Sequence, residues 1–499
     1  MLCDLCQAGR SDIPRDSACE VVDGEPCDPC LKITDLDIQI SNVEVILKRL
    51  TDTRRILQTA RNHIHDPIVN HLPPELIQRI FSLYAHSDDD DTSAYIQKEK
   101  FVPLVLGAIC KTWREIAWNT PDLWTRLSFS VDSNIKKNMV REREMSFQWL
   151  SRTGDLPLSL YMDRARWESS SPQRSQMARS WVGFIQDLMN EFGNRFRVLD
   201  VELPVKIFFP VMSKARLSSQ LKRLAIRINY CDSALEVFSL STDTLEPEYV
   251  SLSRIEPRLV KISWNNVTEL ALHEYTGDAC SDIFVYAPSL VSCQLRSIQP
   301  DSNQQLQSIT HLQLRHLIIK SPADNFLKRA TFPELKTLSM EYAAVSTMRD
   351  FVSRSCCNLK TLEVTLRFYK ETANSLFELL QEPYLHSLKS LNINLRGLAN
   401  RERIFSAFPE KPAFLPVLQS ITYNCWDQGL QFAWVLPLML STKFRPLSTI
   451  KIKHPDDIYE DENLRHFFEF RRCNPDITLE FLDLDPDFIQ KQAKRLGLE

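Results

Sequence analysis

Leu359-Lys360-Thr361-Leu362-Glu363-Val364 is the stretch that decides how most of this chain folds. Its apolar residues stand at the first, fourth and sixth places. The last two are two apart, the period of a strand with one buried face. The same pattern precedes it at Leu335-Leu338-Met340 and follows it at Leu388-Leu391-Ile393. Further out it recurs at Phe196-Leu199-Val201, Leu221-Leu224-Ile226, Val267-Leu270-Leu272, Leu290-Cys293-Leu295 and Leu314-Leu317-Ile319. Beyond 400 it recurs at Leu418-Ile421-Tyr423 and Leu447-Ile450-Ile452, with Ile477 and Leu479 as a candidate terminal copy. The interval from Leu221 to Val267 is about twice its neighbours, which predicts a degenerate copy between 230 and 262.

This period, roughly 20–29 residues with slight overrun, is that of leucine-rich repeats. Each copy predicts a short strand whose alternate residues point inward, and the chain returns as a helix or irregular arc, as at 372–382 and 402–408. No copy carries a regular Asn at its turn, so the repeats are irregular. The fold class expected is mixed α/β: an N-terminal helical unit, then an irregular leucine-rich-repeat solenoid over 196–485, its parallel strands backed by helices. A tail, 486–499, follows. Residues 129–195 read as transitional, with a helix over 134–151, a strand from Leu156 to Met162, a polar loop over 168–176 and a helix over 181–192.

Composition removes several chemistries. The chain has 499 residues and only 10 glycines, of which the closest pair is Gly183 and Gly193. A phosphate-cradling P-loop, a dinucleotide fingerprint and a Gly-x-Ser-x-Gly elbow all need closer glycines. His273-Glu274 has no second histidine four residues on, so the metalloprotease helix motif is missing as well. The turns are therefore expected from Pro, Asn, Ser and Asp. The net charge is −4 and no Lys/Arg run exceeds two, which gives no nucleic-acid footprint. No apolar stretch approaches the ~20 residues of a membrane span. The 13 cysteines, with no signal-peptide pattern before them, read as reduced thiols of the cytoplasm or nucleus.

Two N-terminal segments carry patterns of their own. In residues 1–32, Cys3-x-x-Cys6 and Cys27-x-x-Cys30 have the spacing of a four-thiolate zinc site. The segment is acidic and poor in apolar residues, so it is either metal-folded or disordered. No other cofactor is expected. In residues 33–65, Ile33, Leu36, Ile40, Val43, Leu47, Leu50, Leu57 and Ile64 follow 3-4 spacing, with Arg54 and Arg61 at two seam positions. This predicts a long amphipathic helix that starts near Thr34, Asp35 and Asp37. Its seam serves either a homodimer or packing on the next domain, and the two arginines favour the second.

Residues 66–128 hold the most specific motif. Leu72-Pro73-Pro74-Glu75-Leu76-Ile77 opens a helix, because a proline in the first turn leaves no amide unpaired. Leu76 and Ile80, with Leu83 or Tyr84, form one apolar face. An acidic loop, 88–91, lies within a long linker, 86–101. A second helix is expected to carry Leu106, Ile109, Cys110, Trp113 and Ile116 on one side, and Thr120-Pro121-Asp122-Leu123-Trp124 closes the unit.

These elements, in this order, resemble the F-box family, specifically the F-box-like proteins of mushroom-forming fungi. The stretch from Trp149 to Leu160 and the heptad helix resemble that group too. The resemblance implies a helical unit that docks a Skp-type adaptor of a cullin–RING ubiquitin ligase. By matched position, Leu72, Pro73, Glu75, Leu76, Ile80, Phe81, Ile109, Cys110 and Trp113 would belong to the docking surface or its immediate support. It further implies a non-catalytic receptor, whose repeats hold an unknown protein target near the ligase. The alternative is a repeat scaffold with no ubiquitin role. The histidines are scattered, and His311 and His316, beside a repeat strand, read as structural. Outward positions such as Lys336, Thr337, Ser339, Lys360, Thr361, Glu363 and Thr365 would line the target face, and their mixed charge points to no substrate class.

Overall fold

The computed structural model describes residues 28–85, 102–131, 136–164, 172–229, 245–255, 257–298, 308–366, 372–395, 413–425, 445–453, 461–481 and 486–497, with 404, 407, 408, 410 and 411. The expected zinc ligands Cys3, Cys6 and Cys27, the side chain of Cys30, and the linker 86–101 with its acidic loop lie outside them. The chain divides into two compact units, Met1–Leu123 and Trp124–Glu499.

The first unit is helical: α1 (Asp28–His65), α2 (Pro67–His71), α3 (Pro74–Ala85), α4 (Val102–Ile109) and α5 (Lys111–Trp118), followed by a 3-10 turn at Pro121–Trp124. Helix α1 begins at Asp28, earlier than Thr34, and Lys32 reaches back one turn to pair with Asp28 at 2.5 Å. Its seam does not pack on the next helices as the two arginines suggested, for Ile33, Leu36, Ile40, Val43, Leu47, Leu50, Leu57 and Ile64 are all exposed. At 1.5 Å per residue a helix of 38 residues spans about 57 Å, and the 5- to 12-residue helices after it are too short to cover it.

Among the described residues, the second unit is built on a sheet of 14 parallel strands. It opens with β1 (Arg126–Val131), β2 (Leu158–Arg164), β3 (Phe196–Pro204), β4 (Arg223–Asn229), β5 (Tyr249–Ser253), β6 (Glu269–His273) and β7 (Ser292–Arg296). A separate two-stranded pair, β8 (Ile309–Thr310) with β10 (Ala330–Thr331), flanks β9 (His316–Lys320) in the chain. The large sheet runs from β9 through β11 (Thr337–Glu341), β12 (Thr361–Leu366), β13 (Ser390–Leu395), β14 (Ser420–Cys425), β15 (Thr449–Lys453) and β16 (Thr478–Phe481). Apart from β8 and β10, each strand pairs with the next in chain order. The sheet therefore begins at Arg126, and the segment read as transitional supplies the second half of β1 and all of β2. The degenerate copy expected between 230 and 262 is β5, where Val250 and Leu252 stand in for the leucines.

The register explains the sequence pattern. Leu199, Leu224, Val250, Leu270, Cys293, Leu317, Leu338, Leu362 and Leu391 are successive ladder partners, so equivalent residues stack into one buried row. Val201, Ile226, Leu252, Leu272, Leu295 and Ile319 open a second row, two residues on. A strand in isolation could not bury these side chains; its neighbours can, at about 1.5–3 kcal/mol for each one fully covered.

The return segments differ from one crossing to the next, and so the expected repeat solenoid gives way to a plainer description: a mixed α/β unit with a parallel-strand sheet. Helices α6 (Lys136–Leu150), α7 (Pro172–Phe192) and α8 (Val205–Met212) serve the first strands, whereas 3-10 turns at Pro257–Leu259 and Trp264–Asn266 lead from β5 to β6. Later crossings use α9 (Gly277–Tyr286), α10 (Asp324–Arg329), α11 (Val345–Ser355) and α12 (Thr372–Leu380). Helix α13 (Asp461–Cys473) joins β15 to β16, and α14 (Pro486–Leu496) follows.

Of four turns that follow strands, only one is made by a residue type the composition suggested, Ser297. Arg254, Glu274, Ser297 and Tyr342 each follow a strand directly, and each has φ between 54° and 66°. The left-handed backbone costs a non-glycine residue roughly 1–2 kcal/mol. It turns the amide towards the next strand: Glu274 N–H donates to the Arg296 carbonyl at 3.0 Å and Tyr342 N–H to Thr365 at 2.8 Å. With Arg254 N–H donating to His273 at 3.2 Å, one more ladder bond is formed at each of these three turns.

His311 is structural, as its place beside a strand suggested. It is buried, its Nε2–H donates to the Ala287 carbonyl at 3.1 Å, and its Nδ1 accepts from the Gln313 and Leu314 amides at 3.3 and 3.1 Å. Burial lowers its pKa below the usual value, against an opposing pull from the Ala287 carbonyl. A proton on Nδ1 would break two backbone bonds. The unfolded chain takes up that proton below pH ~6.5 while the folded chain resists it, so this contribution to stability is lost as pH falls. We expect the native protein to lose more stability between pH 7.5 and 5.5 than His311→Gln, in urea titrations at both pH values. Equal losses would show that His311 does not titrate in this way.

Candidate adaptor-docking site

The site is built in the first unit, around Asp66. Asp66 caps α2: its Oδ1 accepts from the Ile68 and Val69 amides, both at 3.0 Å. Pro67 takes the first helical place, where no amide is missed. The other oxygen, Oδ2, accepts from the Trp113 indole N–H at 2.5 Å and faces the Cys110 thiol at 3.9 Å. One carboxylate thus ties the start of α2 to the start of α5. Sequence reasoning passed over Asp66, although an Asp before a helix-opening Pro is a capping signal.

Cys110 explains why the second half is two helices and not one. Its backbone is extended (φ −153°), so the chain turns between α4 and α5, and its sulfur accepts from the Trp113 amide at 3.4 Å. The five residues expected on one side therefore part company: Leu106 is buried, Cys110, Trp113 and Ile116 are half-buried, and Ile109 is exposed. The two short helices cross closely at Gly107, where an added Cβ would lie 2.0 Å from the Trp118 ring.

Helix α3 has two apolar faces with different fates. Ile77, Phe81 and Ala85 are buried, and the Phe81 ring lies 4.9 Å from that of Trp113. Leu76 and Ile80 are 51% and 42% exposed, with Leu83 and Tyr84 exposed beside them. Among the described residues this apolar face is largely exposed, the kind of patch that marks a partner site. On α4, Val105 and Ile109 are likewise exposed, one turn apart. Val105 went unnoticed in the sequence, though its four-residue spacing from Ile109 was a readable signal.

The remaining motif residues frame that face. Leu72 is half-buried and ends α2, its N–H donating to Ile68 at 3.0 Å. Pro73 is exposed, and its carbonyl accepts from the Leu76 and Ile77 amides at 3.0 and 3.2 Å. Glu75 is exposed in the first turn of α3. The nine motif residues thus sort into an outer set (Pro73, Glu75, Leu76, Ile80, Ile109) and supports beneath it (Leu72, Phe81, Cys110, Trp113).

In the second unit the outward face of the sheet is polar and largely paired across strands. Arg227 pairs with Asp200, and with Glu202 at 3.2 Å. Burial raises the Asp200 pKa, and Arg227 opposes that shift. Glu363 accepts from the Ser339 hydroxyl at 2.9 Å and from the Asn392 amide at 3.0 Å, bridging β11 to β13. Lys451 meets Glu480 at 2.8 Å. Charges that satisfy one another in this way point to no class of target.

Among the described residues, no group of three or more His, Cys, Asp or Glu is placed to hold a metal ion. Cys110, Cys280, Cys293, Cys356, Cys357 and Cys473 are free thiols. Of the adjacent pair, Cys356 is exposed at the end of α11, and burial pushes Cys357 up to about 11. Among the described residues, no helix is long and apolar enough to cross a membrane. No curated protein matches the chain. Residues 69–130, which run from within α2 through the exposed face of α3 and both short helices into β1, match the family model described as F-box-like.

Proposed function

We propose that this chain is the substrate-recognition subunit of an SCF-type cullin–RING ubiquitin ligase. The observation that carries the reading is the exposed apolar face of α3, Leu76, Ile80, Leu83 and Tyr84, lying inside the F-box-like match. That face is the docking surface for a Skp-type adaptor, with Pro73 and Ile109 at its margins. Such a subunit does no bond chemistry itself. It raises the local concentration of a target lysine near the ligase, which acts in the cytoplasm or nucleus. The target would be held by the sheet-bearing unit, read as irregular leucine-rich repeats. Strand-by-strand stacking of equivalent leucines supports that reading. Self-association of two copies along the exposed seam of α1 belongs to it too.

Co-purification with a Skp-type adaptor tests the proposal. Leu76→Asp with Ile80→Asp places charge at the centre of the face and is expected to weaken capture by about 30-fold or more, as for the loss of an interface hot spot. Both side chains are exposed, so the fold should survive. An unchanged affinity, or no capture by the native chain, would remove the ligase role and leave the scaffold reading. Zinc on Cys3, Cys6, Cys27 and Cys30 is a separate proposal, supported by their spacing. It expects one zinc per full-length chain, lost on Cys3→Ser with Cys6→Ser. Equal metal content in the two proteins would remove it.

A further inference from the structure

The exposed seam of α1 has a direction written into it. Ile33, Ile40, Leu47, Arg54 and Arg61 recur every seven residues, and Leu36, Val43, Leu50, Leu57 and Ile64 form the second series. All ten are exposed. In a parallel pair, residues of one series face their own copies. Arg54 would then meet Arg54, and Arg61 would meet Arg61, setting like charges inside the seam. In an antiparallel pair each series faces the other. With Leu47 opposite Leu50, Ile40 falls opposite Leu57 and Ile33 opposite Ile64. Arg54 then meets Val43, which is followed by Glu44, and Arg61 meets Leu36, which is followed by Asp37. Each guanidinium lands beside a carboxylate of the other copy, its stem lying along the aliphatic seam.

The charge along the whole helix agrees. Residues 28–46 hold four acids (Asp28, Asp35, Asp37, Glu44) and one base (Lys32). Residues 47–65 hold five bases (Lys48, Arg49, Arg54, Arg55, Arg61) and one acid (Asp52). Antiparallel pairing lays the acidic half on the basic half, whereas parallel pairing stacks like on like, and like charges at close range also select against the wrong partner.

We propose that a second copy of this chain lies antiparallel along α1, with Leu47 opposite Leu50. The inference rests on the self-association reading above and adds its orientation and register. Because α2 follows α1 directly, the pair would set the two adaptor-docking units at opposite ends of the seam, about 50 Å apart at 1.5 Å per residue. Both docking faces stay open, and one assembly would present two adaptors to one target.

Cross-linking of full-length protein tests this. Chains carrying Ile40→Cys are mixed with differently tagged chains carrying Leu57→Cys, oxidised mildly, and the linked peptides identified by mass spectrometry. We expect links between positions 40 and 57 to outnumber links between two positions 40 by tenfold or more. A majority of 40-to-40 links would overturn the orientation while leaving the self-association reading intact. A monomer in sedimentation at micromolar concentration would overturn both. As a second measurement, Arg54→Glu should weaken self-association at least tenfold, and Glu44→Arg in the same chain should restore it. Failure of that rescue would count against the register.

Discussion

Replacing Arg445 by Met is expected to destabilise the sheet-bearing unit by about 3–5 kcal/mol. Arg445 is only 5% exposed. Its guanidinium donates to three backbone carbonyls, Phe414 at 2.8 Å, Phe408 at 2.7 Å and Lys411 at 2.8 Å, and lies over the Phe408 ring at 5.1 Å. Met keeps much of the volume and supplies no donor. Each buried carbonyl left without a partner costs roughly 1–3 kcal/mol, which water entering the site offsets only in part. Lys at this place should recover less than half, because a single ammonium cannot match three carbonyls spread around a planar fork. The urea midpoint, followed by circular dichroism, measures the loss. A shift equal to that of an exposed Arg→Met control would show that the three bonds add nothing. Burial lowers the Arg445 pKa, yet arginine titrates far above neutrality, so the effect should not vary between pH 6 and 8.

Gly193→Ala is the second large effect expected, about 3 kcal/mol. Gly193 opens the 3-10 turn between α7 and β3 and is buried. A Cβ there would stand 2.2 Å from the backbone oxygen of Arg216. A side chain could swing away; a backbone carbonyl beside the buried Ala215 and Leu217 must carry its segment with it. Gly183→Ala is the matched control. It lies inside α7 with nothing within 4 Å of the added Cβ, so alanine should be neutral or gain up to ~1 kcal/mol from helix propensity. Equal stabilities for the two variants would show that the approach at Gly193 relaxes without cost.

The scarcity of glycine leaves no pair close enough for a phosphate-cradling loop. It does not mean that no backbone is approached closely, for Gly107 and Gly193 are both used for that, against a Trp ring and a carbonyl. Nor does it leave the turns to Pro, Asn, Ser and Asp, since Arg254, Glu274 and Tyr342 take left-handed turns and gain ladder bonds in return. Helix propensity and turn statistics describe a residue with its sequence neighbours. These three residues answer to the next strand, some 20 residues away in the chain.

The exposed apolar face of α3 was legible for a related reason. Leu76 and Ile80 are four apart, as are Ile77 and Phe81, so α3 was bound to have more apolar surface than one contact could use. Which pair would face water was not legible. That choice follows from Trp113, whose ring covers Phe81, and from Asp66, whose carboxylate holds Trp113 in place through its indole N–H.

The sequence by itself determined the strands, their inward residues, the long heptad helix and the F-box-like motif. The strands and the helix rest on a period, two residues for a strand and 3.5 for the seam, and periods are local; the motif rests on a resemblance carried by residues in a fixed order. Only the tertiary structure decided that the sheet opens at β1, that Cys110 splits a helix, and that Arg445 serves as a structural polar group in the interior. Those depend on which backbone groups are left without partners once the strands have stacked, and that is a property of the assembled fold.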